Sequence, residues 1–229
     1  MDIIKGNIFN TKKDVLVNTV NCAGVMGKGM ALECRLRFPE MFKEYKKKCG
    51  EGLMSPGVLH LYSHSEPMIL NFPTKQHWKD PSKESYIIDG LVQFQKLAKR
   101  EKIKSIAFPL LGASLGKLNK NKVINIMQSS LSNLSQEIDI EIYDFDPNAA
   151  DELFDSLYSR IKDFRSHDYK IFVKNSKTQD ILYREIKNQS IRSMLGLQNI
   201  PGVGSTTIER FHKYIRSEET RHEQKKLDI

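Results

Sequence analysis

The sequence predicts an α/β fold, a mixed and mostly parallel sheet covered by helices on both faces, followed by a small, mainly helical module. Two observations lead to this prediction. Short apolar runs that suit strands alternate with amphipathic stretches that suit helices, as in βαβ units. Several of the runs are apolar at almost every position, as expected for strands with no solvated face.

The individual elements are predicted from the spacing of apolar residues and from the residues that interrupt helices and strands. Six strands are predicted at residues 2–4, 15–20, 58–62, 68–72, 105–110 and 138–145. The clearest helix is residues 82–102, in which apolar side chains recur at spacings of three and four, at Ile87, Leu91, Phe94 and Leu97. Further helices are predicted at residues 29–38, 41–49 and 120–134, and Pro39 ends the first of them.

The chain is predicted to divide into two domains, residues 1–158 and 168–229. An amphipathic helix at residues 151–164 is expected to close the first domain, and the second is expected to open with a strand at residues 169–173. Residues 156–229 hold 15 Lys and Arg against 9 Asp and Glu, whereas residues 1–155 hold 21 against 19. Such a surplus suits a polyanionic partner, and equally an ordinary basic surface.

Composition bounds the size and excludes a membrane protein. The chain has 229 residues, of which 39% are hydrophobic, enough for one core and a small appended module. Its apolar runs fall far short of the roughly 20 residues of a membrane-spanning helix, and no secretory signal is recognisable. Cys22, Cys34 and Cys49 show no metal-ligand spacing, so we expect free thiols, a cytoplasmic location, and no metal or cofactor.

Two glycine-rich loops each follow an apolar strand and lead into a helix. The first, residues 18–31 (NTVNCAGVMGKGMA), can bring backbone amides close to a phosphate, and its Asn18 and Asn21 can bond sugar hydroxyls. The second is residues 111–116 (LGASLG). Either loop alone is also compatible with an ordinary turn. On neighbouring strand ends, the two can hold a diphosphate from both sides.

A third segment, residues 71–78 (NFPTKQHW), also leaves an apolar strand. Lys75 can contact a phosphate there, or act as a nucleophile if burial lowers the pKa of its amine. Trp78 can stack on a base or cover the edge of a core. His77 is interpreted as a surface imidazole, because it has no partners at metal-ligand spacing.

Together, residues 18–31, 71–78 and 109–116 (PLLGASLG) resemble the signature loops of macrodomains, and the resemblance spans residues 1 to about 155. More narrowly, they are similar to the DNA ADP-ribosyl glycohydrolase antitoxins, which reverse the ADP-ribosylation of thymine in single-stranded DNA. The resemblance implies a three-layer α/β/α macrodomain, with ADP-ribose as ligand and ADP-ribosylated single-stranded DNA as substrate. It also implies a cognate DNA ADP-ribosyltransferase toxin as partner.

The same resemblance assigns roles to individual residues. Lys75 matches the catalytic lysine, which attacks the anomeric carbon or captures the ring-opened aldehyde as an imine, and Asn21 orients the distal ribose. Trp78 and His77 are expected beside the substrate base, and Asn7 and Phe145 at the adenine. The full set of expected ADP-ribose contacts is Asn7, Ile8, Asn18, Asn21, Val25, Met26, Gly27, Lys28, Gly29, Thr74, Leu111, Gly112, Ala113, Ser114, Leu115, Gly116 and Phe145.

Two positions depart from the family pattern. The animal terminal ADP-ribose glycohydrolase pairs its lysine with an aspartate in the second glycine loop, and Gly116 stands in that place here. This matches the antitoxin branch and leaves the general acid unidentified. The usual Gly-Cys-Gly of the loop is Gly112-Ala113-Ser114 in this chain, so a different loop conformation is expected.

Residues 197–211 (LQNIPGVGSTTIERF) resemble a helix-hairpin-helix, which presents backbone amides to a DNA phosphate without reading sequence. The expected phosphate contacts are Gly202, Gly204, Ser205, Thr206 and Lys213. The expected core between the helices is Leu197, Ile200, Ile208 and Phe211, although Ile208 stands where the motif has a small residue. A hairpin that touches no nucleic acid is the alternative.

Two other functions stay open at this point. The chain can be a non-catalytic reader of ADP-ribose, in which Lys75 only contacts phosphate. It can also be a hydrolase acting on ADP-ribosylated protein carboxylates, with the C-terminal module docking a partner.

Overall fold

The computed structural model describes residues 1–227, and side-chain surroundings as far as residue 217. It forms two compact units, Met1–Asp146 and Pro147–Ile229. The predicted boundary at residues 158–168 is therefore too late in the chain. The helix expected to close the first domain belongs to the second unit.

Six strands of the first unit form one sheet in the order β1-β6-β5-β2-β4-β3. They are β1 (Asp2–Gly6), β2 (Val15–Asn21), β3 (His60–Tyr62), β4 (Met68–Lys75), β5 (Ser105–Pro109) and β6 (Asp139–Phe145). Only the β3–β4 pair is antiparallel, and the other four pairs are parallel. The predicted mixed, mostly parallel sheet is confirmed.

Helices cover both faces of this sheet, because successive strand residues point to opposite sides and both sides are apolar. Val15 and Val17 pack on one side, within the core that also holds helices α3 and α4. Leu16 packs on the other side, with α1 and α2. The four helices are α1 (Gly29–Arg37), α2 (Pro39–Gly50), α3 (Glu84–Arg100) and α4 (Lys120–Leu131). The result is the expected three-layer arrangement.

Strand β4 runs three residues further than predicted, and this extension positions the third motif. The sequence predicts an end at Phe72, but the strand continues beside β2 until Asn21 pairs with Lys75. The register shifts between Val20 and Asn21, so the last pair is offset from those before it. Lys75 is therefore the final strand residue rather than part of a free loop.

The second unit is helical throughout its described elements. They are α5 (Glu152–Ile161), a 3-10 helix (Ser166–Ile171), α6 (Ser176–Lys187), α7 (Met194–Leu197) and α8 (Ser205–Leu227). The strand predicted at residues 169–173 is wrong. Residues Ser166–Ile171 form a 3-10 helix instead, and the Phe172 N–H donates to the Tyr169 carbonyl oxygen at 2.9 Å, an i to i+3 bond of helical type.

Contacts of α5 explain why it belongs to the second unit. Arg160 donates to the Ile215 carbonyl oxygen in α8 at 2.5 Å. The carboxylate of Asp151, which caps α5, accepts from the backbone N–H of Met194 at 3.0 Å.

The predicted core residues of the second unit, Leu197, Ile200, Ile208 and Phe211, are all buried. Phe211 stacks on Phe172 with ring centroids 4.1 Å apart.

The revised boundary changes the distribution of charge. Because Asp151, Glu152 and Asp155 belong to the second unit, that unit holds 15 Lys and Arg against 12 Asp and Glu. The first unit holds 21 against 16. The two units are therefore similarly basic for their length. The excess of basic over acidic residues that was predicted for the second domain therefore does not distinguish the second unit from the first. Net charge alone does not indicate DNA binding by the second unit.

Gly90 in α3 has no room for a side chain, and substitution should expose this. A Cβ at that position would lie 2.1 Å from Cζ of Phe72, a ring with no exposed surface. Alanine gains about 1 kcal/mol of helix propensity, but overpacking costs about 1–3 kcal/mol or more. We expect Gly90→Ala to lower the unfolding temperature, measured by circular dichroism. Gly50→Ala is the control, because a Cβ there meets no atom within 4 Å. Equal unfolding temperatures for the two variants would contradict the packing argument.

Candidate functional site

The C-terminal ends of the parallel strands meet at one edge of the sheet, where the three predicted motifs begin. Asn21 at the end of β2 is the register partner of Lys75 at the end of β4. Gly6 at the end of β1 is the partner of Phe145 at the end of β6. In open α/β sheets the ligand crevice lies beyond such ends. The edge therefore carries residues from all the predicted segments.

Leu115 joins the three motifs into one site. The Lys75 ammonium donates to the Leu115 carbonyl oxygen at 2.6 Å, which links the end of β4 to the second glycine loop. A Cβ at Gly29 would lie 3.0 Å from Leu115 Cδ1, so the first glycine loop is adjacent as well. The first loop also contacts the segment after β4, since Cys22 N–H donates to the Gln76 carbonyl at 3.0 Å.

The amine of Lys75 is partly buried, and its surroundings disfavour the charged form. Burial lowers its pKa below the ordinary value, and the positive charge of Lys117 lowers it further, while Asp80 opposes the shift. A lowered pKa enlarges the fraction of neutral amine, the form that can act as a nucleophile. The catalytic role of Lys75 stays a prediction.

Asn21 braces the first glycine loop. Its side-chain oxygen accepts from the backbone N–H groups of Ala23 (2.9 Å) and Val25 (3.3 Å), and its amide donates to the Val25 carbonyl at 2.5 Å. Its own carbonyl accepts from the hydroxyl of Tyr45 at 2.6 Å. The side chain is therefore committed to the turn that follows β2. Its expected contact with the distal ribose remains a prediction, for which the second N–H of its amide is the donor.

Several of the expected ADP-ribose contacts have side chains in the core. Asn18 has no exposed surface and donates to Asn71, and its expected ligand contact stays a prediction. Besides Asn21, the other buried side chains in the set belong to Asn7, Ile8, Met26, Thr74 and Leu111. For these, backbone groups are what the structure leaves to face a ligand. Asn7 also caps the short 3-10 helix that follows β1, accepting from Phe9 N–H at 3.1 Å.

The second glycine loop closes tightly around Gly116. A Cβ there would lie 2.3 Å from both the Gly112 carbonyl oxygen and Ser82 Oγ. Gly112 adopts a φ of +71° and its carbonyl accepts from Leu118 N–H at 3.1 Å. No side chain fits at position 116 in this conformation.

Ser82 is a site residue that the sequence did not reveal. Its backbone N–H donates to the Gly116 carbonyl at 3.0 Å, and its buried hydroxyl has no hydrogen-bond partner in the described part of the chain. It lies four residues beyond the third motif, in a stretch whose only recognisable feature was the start of a helix. Only the fold brings it beneath the second glycine loop.

Apolar and basic side chains surround the edge. The exposed apolar members are Val25, Trp78, Leu115 and Phe145. The Trp78 ring is 49% exposed, lies 5.4 Å from the His77 ring, and has the Lys79 ammonium 5.0 Å from its centre. Aromatic faces with neighbouring cations suit the bases and phosphates of a nucleic acid strand.

Two surface concavities lie away from this edge of the sheet. A groove of about 700 Å³ runs between residues 56–59 and α3, and a cleft of about 270 Å³ lies in the second unit; neither includes a predicted site residue. Within residues 1–227, no group of three or more His, Cys, Asp or Glu can hold a metal ion. Over the same residues, no helix is long and apolar enough to cross a membrane.

Comparisons with known proteins place this site in a family. The family model described as Macro domain matches residues 17–127. The macrodomain of Mycobacterium tuberculosis DarG is 38% identical, with a TM-score of 0.59, and the match covers 62% of this chain and 97% of that one. This chain belongs to the macrodomain family. The family resemblance predicted from the three motifs is thereby confirmed.

Two further relatives extend the comparison of this macrodomain. The DNA ADP-ribosyl glycohydrolase of Mycobacterium tuberculosis strain H37Rv is 39% identical over 142 residues, which is 60% of this chain and 40% of the relative. The structure of Thermosipho africanus DarTG in complex with ADP-ribose is 32% identical, has a TM-score of 0.58, and is matched over 63% of this chain and 41% of that one. The chain thus spans about two fifths of the length of its curated relatives.

Proposed function

We propose that this macrodomain is a DNA ADP-ribosyl glycohydrolase that removes ADP-ribose from thymidine in single-stranded DNA. The observation that carries the proposal is the junction at Leu115, where a partly buried Lys75 with a lowered pKa meets both glycine loops. The names of the relatives suggest the reaction and DNA as its substrate, whereas thymidine and the single strand rest on the resemblance stated from the sequence. The geometry supplies a lysine suited to that reaction at the edge where the ligand is expected.

The order of strands suggests how ADP-ribose lies on the edge. Asn7 and Phe145 follow β1 and β6, the second glycine loop follows β5, and Asn21 and Lys75 end β2 and β4. From β6 to β4 is three strand spacings, about 14 Å. We place the adenine at the β1–β6 end, the diphosphate between the two glycine loops, and the distal ribose at Lys75.

At Lys75 the neutral amine attacks the anomeric carbon, either in the closed ribose ring or after the ring has opened with the base still attached. The glycosidic bond breaks, its electron pair leaves with the base, and the base takes up the proton that the amine gives up. Water then hydrolyses the lysine adduct, which releases ADP-ribose and restores the amine. The loop carbonyl of Leu115, 2.6 Å from the amine, orients it towards the crevice.

The surface beside Lys75 is suited to a single strand of DNA. Trp78 and His77 offer ring faces next to the reacting position, and Lys79 adds a cation. A protein carboxylate needs neither. This surface favours DNA over the alternative protein substrate.

The hairpin of the second unit provides a further phosphate contact in this proposal. Gly202 (φ +84°) packs against Thr178, whereas Gly204 is open on its Cβ side. The N–H groups of Ser205 and Thr206 lie in the first turn of α8, where an anion is favoured.

We expect Lys213→Ala to weaken binding to an unmodified single-stranded oligonucleotide a few-fold. Loss of one phosphate contact should also make the slope of log affinity against log salt shallower by about 0.7. Fluorescence anisotropy at several salt concentrations measures both quantities. Lys170→Ala, an equally exposed lysine outside the hairpin, is the control for net charge. A wild-type slope for Lys213→Ala would favour the purely structural hairpin.

A DNA substrate implies the cytoplasm as the working compartment, in agreement with the free thiols of Cys22, Cys34 and Cys49. We propose a DNA ADP-ribosyltransferase toxin as the cognate partner, on the strength of the resemblance to the antitoxins.

Intact-mass analysis tests the proposed reaction. The protein is incubated side by side with a thymidine-ADP-ribosylated oligonucleotide and with a protein ADP-ribosylated on carboxylates. Loss of the ADP-ribosyl mass from the oligonucleotide supports the proposal. Loss from the protein alone favours the carboxylate hydrolase. Measurable ADP-ribose binding without loss from either substrate favours the reader.

A further inference from the structure

A row of three polar side chains crosses the sheet beneath the first glycine loop. Asn18 on β2, Asn71 on β4 and His60 on β3 are register partners on three adjacent strands. Asn18 and Asn71 have no exposed surface, and His60 is 6% exposed. Buried polar groups are costly unless they bond one another, so a continuous buried row calls for an explanation.

Hydrogen bonds connect the row to the surface at one end. The amide of Asn18 donates to Asn71 Oδ1 at 2.9 Å, and the amide of Asn71 lies 3.2 Å from His60 Nδ1. His60 Nε2 lies 2.8 Å from the carboxylate of Glu44 on α2. Since the Asn71 nitrogen can only donate, His60 Nδ1 accepts. The proton of the neutral ring is then on Nε2 and is donated to Glu44.

The other end of the row lies under the ligand loop. Asn18 Nδ2 is 3.8 Å from the sulfur of Met26, a buried residue of the first glycine loop. Asn18 Oδ1 is buried and has no hydrogen-bond partner among the described residues. The row thus contains an acceptor that its present arrangement leaves unsatisfied.

We propose that His60 is a positioning residue for the first glycine loop, acting through Asn71 and Asn18. Its protonation reverses the direction of the hydrogen bonds in this row. The proposal rests on the proposed function in one respect, that the loop holds the diphosphate of ADP-ribose. The chemistry of the row itself does not depend on the substrate.

Two arrangements of the row follow from its donors and acceptors. With neutral His60, Asn71 donates to the ring and accepts from Asn18. With protonated His60, both ring nitrogens donate, so Asn71 must turn its oxygen towards His60 and its amide towards Asn18. Asn18 then turns its unsatisfied oxygen to Asn71, and its amide moves away from Met26. Protonation at β3 is thereby transmitted to the loop.

The charges around His60 favour the neutral arrangement near neutral pH. Burial lowers the pKa of His60, Glu44 opposes this, and Lys48, also on α2, adds to the lowering. Because its pKa is lowered, the His60 ring takes up a proton only at a pH below the ordinary pKa of histidine. Because the neutral arrangement holds Asn18 against Met26, we expect ADP-ribose affinity to fall as His60 takes up a proton.

The test follows ADP-ribose affinity by isothermal titration calorimetry from pH 7.5 down to pH 4.5. We expect wild type to lose about fivefold or more across this range, the usual scale of coupling between sites. His60→Gln keeps an acceptor for Asn71 and a donor for Glu44 but does not titrate, so it should bind as wild type at pH 7.5 and lose much less than wild type as the pH falls. His77→Gln removes the imidazole that lies in the site and should keep the wild-type pH dependence.

A second measurement needs no ligand. In the free protein, the side-chain amide resonances of Asn18 and Asn71 should shift with the same midpoint as the His60 ring. Independent midpoints for these resonances would overturn the proposal. So would a pH dependence of ADP-ribose affinity in His60→Gln that equals that of wild type, or the loss of that pH dependence in His77→Gln. If ADP-ribose binds at no pH tested while the resonances still titrate together, the row acts as described and the proposed function is the part that fails.

Discussion

Replacing Lys75 with alanine is expected to slow removal of ADP-ribose from a thymidine-modified oligonucleotide by at least about 100-fold, the lower range for loss of a group that takes part in the chemistry. ADP-ribose affinity should change only a few-fold, because the glycine loops that hold the diphosphate keep their own bonds. Intact-mass time courses give the rate, and calorimetry gives the affinity. The separation of the two effects is the signature of a catalytic lysine.

Two variants sharpen this test. Lys75→Arg keeps the positive charge, but arginine stays protonated and cannot attack the anomeric carbon, so it should be as inactive as alanine. Lys99→Ala removes an exposed lysine of α3, outside the proposed site, and should keep most of the activity. Substantial activity in Lys75→Arg would assign the residue to phosphate contact and favour the reader.

The pH dependence of the reaction rate provides an independent test of nucleophilic attack by Lys75. Burial and Lys117 lower the pKa of Lys75 from 10.5, so its neutral fraction grows with pH and reaches half below that value. The rate in wild type should therefore rise with pH at the alkaline end of the accessible range. A flat profile there, with chemistry shown to be rate-limiting, would contradict nucleophilic attack by Lys75.

The parts of the fold that the sequence predicted are those set by local pattern. The alternation of apolar residues in β2 placed Val15 and Val17 on one face and Leu16 on the other, which required helices on both sides. The three motifs were recognisable because each has an unusual local composition after an apolar strand. Since the ends of parallel strands meet at one edge, their convergence at Leu115 was also predictable.

The parts that were missed depend on register and on contacts distant in sequence. Asn71 lay inside a recognised motif, but its partners His60 and Asn18 are defined only by which residues stand opposite in β3 and β2. The domain boundary was placed too late because an amphipathic helix does not reveal which core it covers. The contacts of Asp151 and Arg160 with Met194 and Ile215 decide that question.

Restoring an aspartate at position 116 is expected to damage this site rather than complete it. A Cβ there meets the Gly112 carbonyl oxygen and Ser82 Oγ at 2.3 Å, and Gly112 is backbone that cannot rotate away. Overpacking of this kind typically costs about 1–3 kcal/mol, which corresponds to roughly a fivefold to 150-fold loss of ADP-ribose affinity if the loop must open. Calorimetry of Gly116→Asp at neutral pH measures it.

Gly116→Ala separates the clash from the charge. Because the collision begins at Cβ, alanine should lose most of the affinity that aspartate loses, although it carries no carboxylate. If alanine binds as wild type and only aspartate fails, repulsion of the diphosphate is the cause and the packing argument is wrong. If both variants bind well and aspartate speeds the reaction, the loop adapts, and a general acid can be added at the position where the related enzymes carry one. The expected outcome is instead that neither variant binds well, because the Ser82 hydroxyl occupies the space that a side chain at position 116 would need.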